Sequence, residues 1–249
     1  MSCEQKVANK SRRQFLNKAG AATAVAALAP GIRLIDLALA RPEGVPASAT
    51  VRWGMLIDTA KCATGCDACV TACNDEHGLT GTGRPQSDAQ WIRKVERRDR
   101  STGRVSSLPV LCQHCEDPPC VDVCPTGSSF KRADGIVLVD KHTCIGCRYC
   151  VMACPYKARS FVHEQLEQQL SYSPRGKGTV ESCTFCVHRI DADETPACVE
   201  ACGKSGNKAM LFGDINDPKS DISAALETLA TQQIRADLKL NTAVRYSDL

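Results

Sequence analysis

The sequence predicts an α+β fold of two similar lobes, and three observations predict it. Sixteen of the seventeen cysteines fall in four groups of four. A short apolar stretch, an aspartate and a cysteine-rich loop follow one another twice. Aromatic residues make up only 4% of the 249-residue chain, too few to organise a large apolar core, so the thiols must supply part of what holds the fold.

The N-terminal stretch stands apart from that fold. It reads KSRRQFLNKAGAATAVAALAPGIRLIDLALA, with Arg12-Arg13 ahead of Gln14, Phe15 and Leu16. An apolar run follows from about Ala19 to Ala29, and Ala38-Leu39-Ala40 offers small residues at a cleavage site. Arg33 and Asp36 interrupt the run before it could span a bilayer. Residues 1–40 therefore resemble a twin-arginine (Tat) export signal, which implies export of an already folded protein. Without its six basic and two acidic residues the chain keeps 25 basic and 26 acidic ones, a net charge of −1. The positive balance belongs to targeting, and no nucleic-acid partner is implied. No later stretch approaches eighteen apolar residues, so no membrane span is expected in the mature protein. Cys3 falls in the signal and reads as a spare thiol.

Met55-Leu56-Ile57-Asp58 reads as a strand and leads into the first group, Cys62-x3-Cys66-x2-Cys69-x3-Cys73. Its C-x3-C-x2-C opening also matches the radical S-adenosylmethionine signature. The fourth cysteine and the lack of room for a large barrel argue against that reading. WIRKVERRDR, with Arg93, Lys94, Arg97, Arg98 and Arg100, reads as a solvated strand face rather than a docking patch.

The second group is Cys112-x2-Cys115-x4-Cys120-x3-Cys124-Pro125. His114 lies inside it and reads as packing beside the site, since thiolates suffice for every ligand position. His77, His142, His163 and His188 share no spacing and read as structural or exposed. Val137-Leu138-Val139-Asp140 repeats the strand-and-aspartate lead-in. The third group follows, Cys144-x2-Cys147-x2-Cys150-x3-Cys154-Pro155. Three thiolates at i, i+3 and i+6 suit three irons of one cube. The fourth, before proline at the start of a helix, turns away toward a different cluster. Structural zinc and disulfides suit this spacing poorly. Tyr149, Tyr156 and Phe185 read as apolar shielding near the clusters.

Arg159–Val162 reads as a strand. The fourth group, Cys183-x2-Cys186-x11-Cys198-x3-Cys202, could alone hold zinc, but its company points to a cluster. Ala209–Phe212 reads as a strand. Ser220–Gln233 reads as a helix with Ile222, Ala225, Leu226 and Leu229 on one face, and 241–249 as an ordered tail or partner contact.

From Val51 to about Pro218 the chain resembles the four-cluster, sixteen-cysteine ferredoxin-like subunits of membrane-associated respiratory complexes. The tracts HCEDPPCVDVCPTG, CIGCRYCVMACPYKARSF and FGDINDP carry the likeness. Within that family it is most similar to the exported subunit of a membrane complex linked to dissimilatory sulfite reductase, with nitrite, tetrathionate and polysulfide reductase subunits as alternatives. The resemblance implies four 4Fe-4S clusters. Cys62, Cys66 and Cys69 would share one with Cys202, and Cys183, Cys186 and Cys198 one with Cys73. Cys112, Cys115 and Cys120 would pair with Cys154, and Cys144, Cys147 and Cys150 with Cys124. It implies a first lobe from 51–110 and 165–218, a second lobe inserted at 111–164, two clusters in each, and a C-terminal helix and docking tail at 219–249. It further implies an electron-transfer subunit rather than an enzyme. Such a subunit would be periplasmic, held at the outer membrane face by an integral membrane quinone-interacting subunit, with a cytochrome c subunit as a further candidate partner.

Overall fold

The computed structural model describes residues 46–167 and 169–249; the stretch read as an export signal, with Cys3, lies outside the described residues. In chain order the elements are β1 (Trp53–Asp58), α1 (Ala68–His77), β2 (Ile92–Arg98), β3 (Val105–Leu111), α2 (Pro119–Asp122), β4 (Ser129–Lys131) and β5 (Val137–Val139). They continue with α3 (Tyr149–Ala153), β6 (Arg159–Phe161), β7 (Val180–Ser182), α4 (Val187–Ile190), α5 (Ala197–Lys204), β8 (Met210–Asp214), α6 (Asp221–Thr228), β9 (Thr231–Gln232) and β10 (Val244–Ser247).

Met55, Leu56 and Ile57 are buried in succession, because β1 has neighbours on both edges and both faces covered. The sheet order is β8-β1-β10-β9, with β1 parallel to β10 and antiparallel to β8. The other strands form the two-stranded hairpins β2-β3 and β4-β5 and the antiparallel pair β6-β7. α1 packs on α5, and α2 on α3, so helices distant in sequence meet in pairs. The main core mixes Met55, Ile57, Trp91, Leu111, Phe185 and Tyr246 with cysteines from all four groups. A smaller one joins Cys120, Val137, Cys150 and Val180.

Two sequence expectations change in the structure, those for the 220–233 helix and for Cys154, and the tail read as ordered or as a partner contact is ordered. The helix expected over 220–233 ends at Thr228, and Leu229 is extended and exposed. β-Branched Thr228 and Thr231 favour extended backbone, and Thr231–Gln232 pairs with β10 instead. The tail supplies β10, an inner strand whose Val244 and Tyr246 are fully buried. Cys154 sits at the end of a short helix rather than its start. It is extended (φ −73°, ψ 111°), the conformation that a following proline imposes.

One buried ion pair ties β7 to the end of α1. Arg175 donates to both Glu181 carboxylate oxygens, at 3.0 and 2.8 Å, and to the Gly78 carbonyl at 2.6 Å. Glu181 is fully buried, so the bidentate geometry is what makes its charge tolerable. Among the described residues no helix is long and apolar enough to cross a membrane.

Candidate metal centres

Each cysteine group opens in the same backbone shape. The residue before the second cysteine is left-handed in every case: Gly65 (φ 77°), His114 (φ 42°), Gly146 (φ 70°) and Phe185 (φ 54°). Two are glycine, which adopts this freely; the other two are held there at a cost in strain. A Cβ on Gly146 would lie 2.1 Å from the Gly178 carbonyl oxygen, so that loop is closed tightly on neighbouring backbone. His114 and Phe185 stack on each other with ring centroids 3.7 Å apart, which holds the second and fourth groups together.

The thiols gather across the groups. Cys62, Cys66, Cys69 and Cys202 line one cavity, with Lys94 and Asn207 at its wall. Cys112, Cys115, Cys120 and Cys154 line another, with Tyr156 and Arg159. The two hold closely similar atom-free spaces of about 290 and about 300 Å³. Cys73 and Cys198 each lie within electrostatic reach of Cys183, of Cys186 and of each other. Cys150 has the same relation to Cys144 and Cys124. Cys147 is the exposed one among the described cysteines, and no disulfide joins any of them. Among the described residues no group of three or more histidine, cysteine or carboxylate side chains is placed to hold a single metal ion.

Donors converge on the sulfurs. Lys94 Nζ donates to Cys62 Sγ at 3.0 Å and Asn207 Nδ2 to Cys66 Sγ at 3.4 Å. Backbone N–H groups of Ala209, Ser129, Phe185 and Val180 reach Cys202, Cys124, Cys183 and Cys144 at 3.2 to 3.5 Å. Such donors stabilise thiolate over thiol. Burial works the other way. It pushes Cys112 and Cys115 up to about 12, and Cys69 and Cys186 up to about 11. Cys124 is the exception: burial raises it, but the Ser128 hydroxyl, the Ser129 N–H and Thr126 outweigh that and bring it to about 6. Most of these thiols therefore need a cationic partner to ionise at neutral pH.

The unsatisfied groups point the same way. Among the described residues Arg159 Nε, Nη1 and Nη2 and the Tyr156 hydroxyl are buried without a well-formed hydrogen bond, Arg159 having only cysteine thiols within reach, and all belong to residues lining the second cavity. A sulfide-and-thiolate cluster supplies the acceptors they lack, so the residues present fit such a group.

Several residues near the thiols were not legible as such in the sequence. His77, read as structural or exposed, is 2% exposed, and its Nε2 lies 3.3 Å from Cys186 Sγ. Burial, and then His188, push its pKa down to about 4, so it is neutral at pH 7. Lys94, read as part of a solvated face, turns inward to Cys62, while Arg97 and Arg98 do face solvent. Its place in a strand beside the first cavity, not its sequence context, decides this. His114 packs as expected: its Nδ1 accepts from the Val137 N–H at 3.0 Å, which assigns the ring hydrogen to Nε2. Tyr156 and Phe185 are buried, but Tyr149 is 54% exposed and shields nothing. His142 and His163 are exposed.

Comparison with known proteins agrees with this geometry. Residues 104–215 and 61–128 match models of 4Fe-4S dicluster domains. The chain is 41% identical to an Hdr-like menaquinol oxidoreductase iron-sulfur subunit of Archaeoglobus fulgidus, over 96% of this chain and 98% of that one. It is 40% identical to a tetrathionate reductase subunit of Salmonella typhimurium, over 88% of this chain and 79% of the relative. It is 36% identical to protein NrfC of Escherichia coli, over 92% and 91%. The fold and site define an iron–sulfur protein with dicluster ferredoxin-like domains. The chain belongs to the family of ferredoxin-like electron-transfer subunits of oxidoreductase complexes, and its sixteen grouped cysteines fit four 4Fe-4S clusters.

Proposed function

We propose that this protein is a non-catalytic electron-transfer subunit, exported by the twin-arginine route. It would serve at the outer face of the cytoplasmic membrane between an integral membrane quinone-interacting subunit and a redox partner of dissimilatory sulfur metabolism. The observation that carries this reading is the single file of thiol quartets. Cys69 of the first quartet reaches Cys198 of the fourth, Cys183 of the fourth reaches Cys112 of the second, and Cys120 of the second reaches Cys150 of the third.

In this reading Cys62, Cys66, Cys69 and Cys202 hold one cluster, and Cys73, Cys183, Cys186 and Cys198 the next. Cys112, Cys115, Cys120 and Cys154 hold the third along the file, and Cys124, Cys144, Cys147 and Cys150 the last. Bound there, the clusters supply one-electron transfer and make no bond in a substrate. The α1–α5 and α2–α3 pairs, which carry or flank the exchanged cysteines, support two lobes of two clusters each, the second inserted in the first. The buried walls keep water from most of the sulfurs, while exposed Cys147 and its exposed neighbours Ile145, Tyr149 and Met152 open one end of the file. The menaquinol oxidoreductase relative supports a quinone-handling partner, and Arg12-Arg13 with its apolar run supports export.

A second reading, the equivalent subunit of a tetrathionate, nitrite or polysulfide reductase, is favoured by the identity to the tetrathionate reductase relative. Affinity capture from detergent-extracted membranes separates the two. The first reading expects an integral membrane subunit whose menaquinol reduces the clusters; a molybdopterin-containing catalytic subunit in its place selects the second. Substrate turnover by the isolated chain would contradict both.

A further inference from the structure

Arg159 opens β6, directly after the cysteine loop of the third group, and is 5% exposed. Among the described residues none of its three guanidinium nitrogens makes a well-formed hydrogen bond and no carboxylate is paired with it; the acceptors within reach are the Cys150 and Cys120 thiols. It lines the cavity of Cys112, Cys115, Cys120 and Cys154. The charges acting on it come from Cys120 and Cys112 on one side and Cys150 on the other. Cys120 and Cys150 meet in the smaller core, beside Val137 and Val180. A buried guanidinium without an anion is costly and would not persist unless something inside the protein balances its charge. Lys141, a half-buried cation of the same region, is already committed to the Val180 carbonyl at 2.7 Å. Arg159 also borders a more open polar cavity with Asp88, Arg93, Arg148 and Lys157, so on its inward side the groups able to balance it are thiols of two quartets.

We infer that Arg159 is a countercation shared by the second and third quartets, and that it raises the reduction potentials of the two clusters held there relative to the other two. Reduction adds one electron and one unit of negative charge to a cluster, with no bond formed or broken. A fixed positive charge in a water-poor wall stabilises the reduced form more than the oxidised one, which moves the potential up. Among the described residues the first quartet lacks a fully buried cation. Its Lys94 is only half-buried, so solvent screens it more. The file would then have a positive step in the half that ends at exposed Cys147, so electrons would settle toward that end. This rests on the quartet assignment proposed above.

The test is an EPR-monitored redox titration of the cluster-loaded protein with Arg159→Gln and Arg159→Lys. In the glutamine variant, two of four midpoints should fall by at least 59 mV, a tenfold change in the reduced-to-oxidised ratio at fixed poise. The other two should stay, and lysine should restore most of the shift. Unchanged midpoints in an iron-replete glutamine variant would overturn the inference, as would equal shifts in both variants or a shift in all four midpoints. If the glutamine variant fails to load, iron retention decides. Loading by the lysine variant alone supports a charge role, and failure of both assigns Arg159 to packing. A wild-type protein with other than four reducible centres would instead overturn the quartet assignment.

Discussion

Cys202, in α5, and Cys62, in the loop after β1, face one cavity from opposite ends of the folded chain. A cluster held there, as proposed above, would make a short cysteine loop a long-range cross-link tying α5 to β1 and α1. Cys202→Ser is expected to remove about one cluster's worth of iron and to lower the unfolding midpoint as well, because ligand loss and fold loss are coupled. Iron analysis alongside thermal unfolding checks it. Loss of iron with an unchanged midpoint would contradict the cross-link.

Gly146 tolerates no side chain. Its left-handed backbone costs a non-glycine residue about 1–3 kcal/mol, and the added Cβ would overlap the Gly178 carbonyl. Gly146→Ala is expected to destabilise the third-group loop by that amount or more, read as a lower unfolding midpoint. Gly127→Ala is the control, since its φ is also positive (68°) but no atom lies near its added Cβ.

The Arg175–Glu181 pair should show the asymmetry of buried charges. Arg175→Met strands a carboxylate that is fully buried and should cost about 3–5 kcal/mol. Removing both partners, with Arg175→Met and Glu181→Leu together, should recover most of that. Denaturant unfolding of the single and double variants reads the difference.

Glu76 links α1 to α4 and gives a pH dependence. Its carboxylate accepts from His188 Nε2 at 2.7 Å and Arg189 Nη1 at 3.0 Å. Burial raises its pKa, but these two partners outweigh burial and hold it below the ordinary 4.5. A depressed carboxylate stabilises the fold above its unfolded value and loses that contribution as pH falls through its folded value. Glu76→Gln should therefore cost about 1.5–3 kcal/mol at pH 7, as for a hydrogen bond to a charged group, and the gap to wild type should close below pH 4.5. Unfolding midpoints at pH 7, 5 and 4 check it; a gap that widens on acidification would contradict the assignment.

Much of the site was legible because ligand spacing is local. The i, i+3, i+6 thiols and the proline after Cys124 and Cys154 speak for themselves in twelve-residue windows. Met55–Asp58 and Val137–Val139 were legible too, as apolar runs with an aspartate behind them. What the sequence withheld was decided by distant backbone. Lys94 looks like its neighbours Arg97 and Arg98 until the strand register turns it to Cys62. His114 and Phe185 look like ordinary spacers until they are found stacked. Arg159 reads as one more basic residue in a β-type run, and its place between thiols of two groups becomes visible only when its neighbours are known. The shortened α6 and the inner position of β10 have the same origin, since strand pairing with β1 and β9 competes with local helix propensity.

The most direct measurement is iron, acid-labile sulfide and EPR on the anaerobically purified chain. A brown protein with iron and sulfide for four clusters and four reducible centres is expected. A soundly folded protein that is colourless, or that carries zinc in place of iron and sulfide, would contradict it.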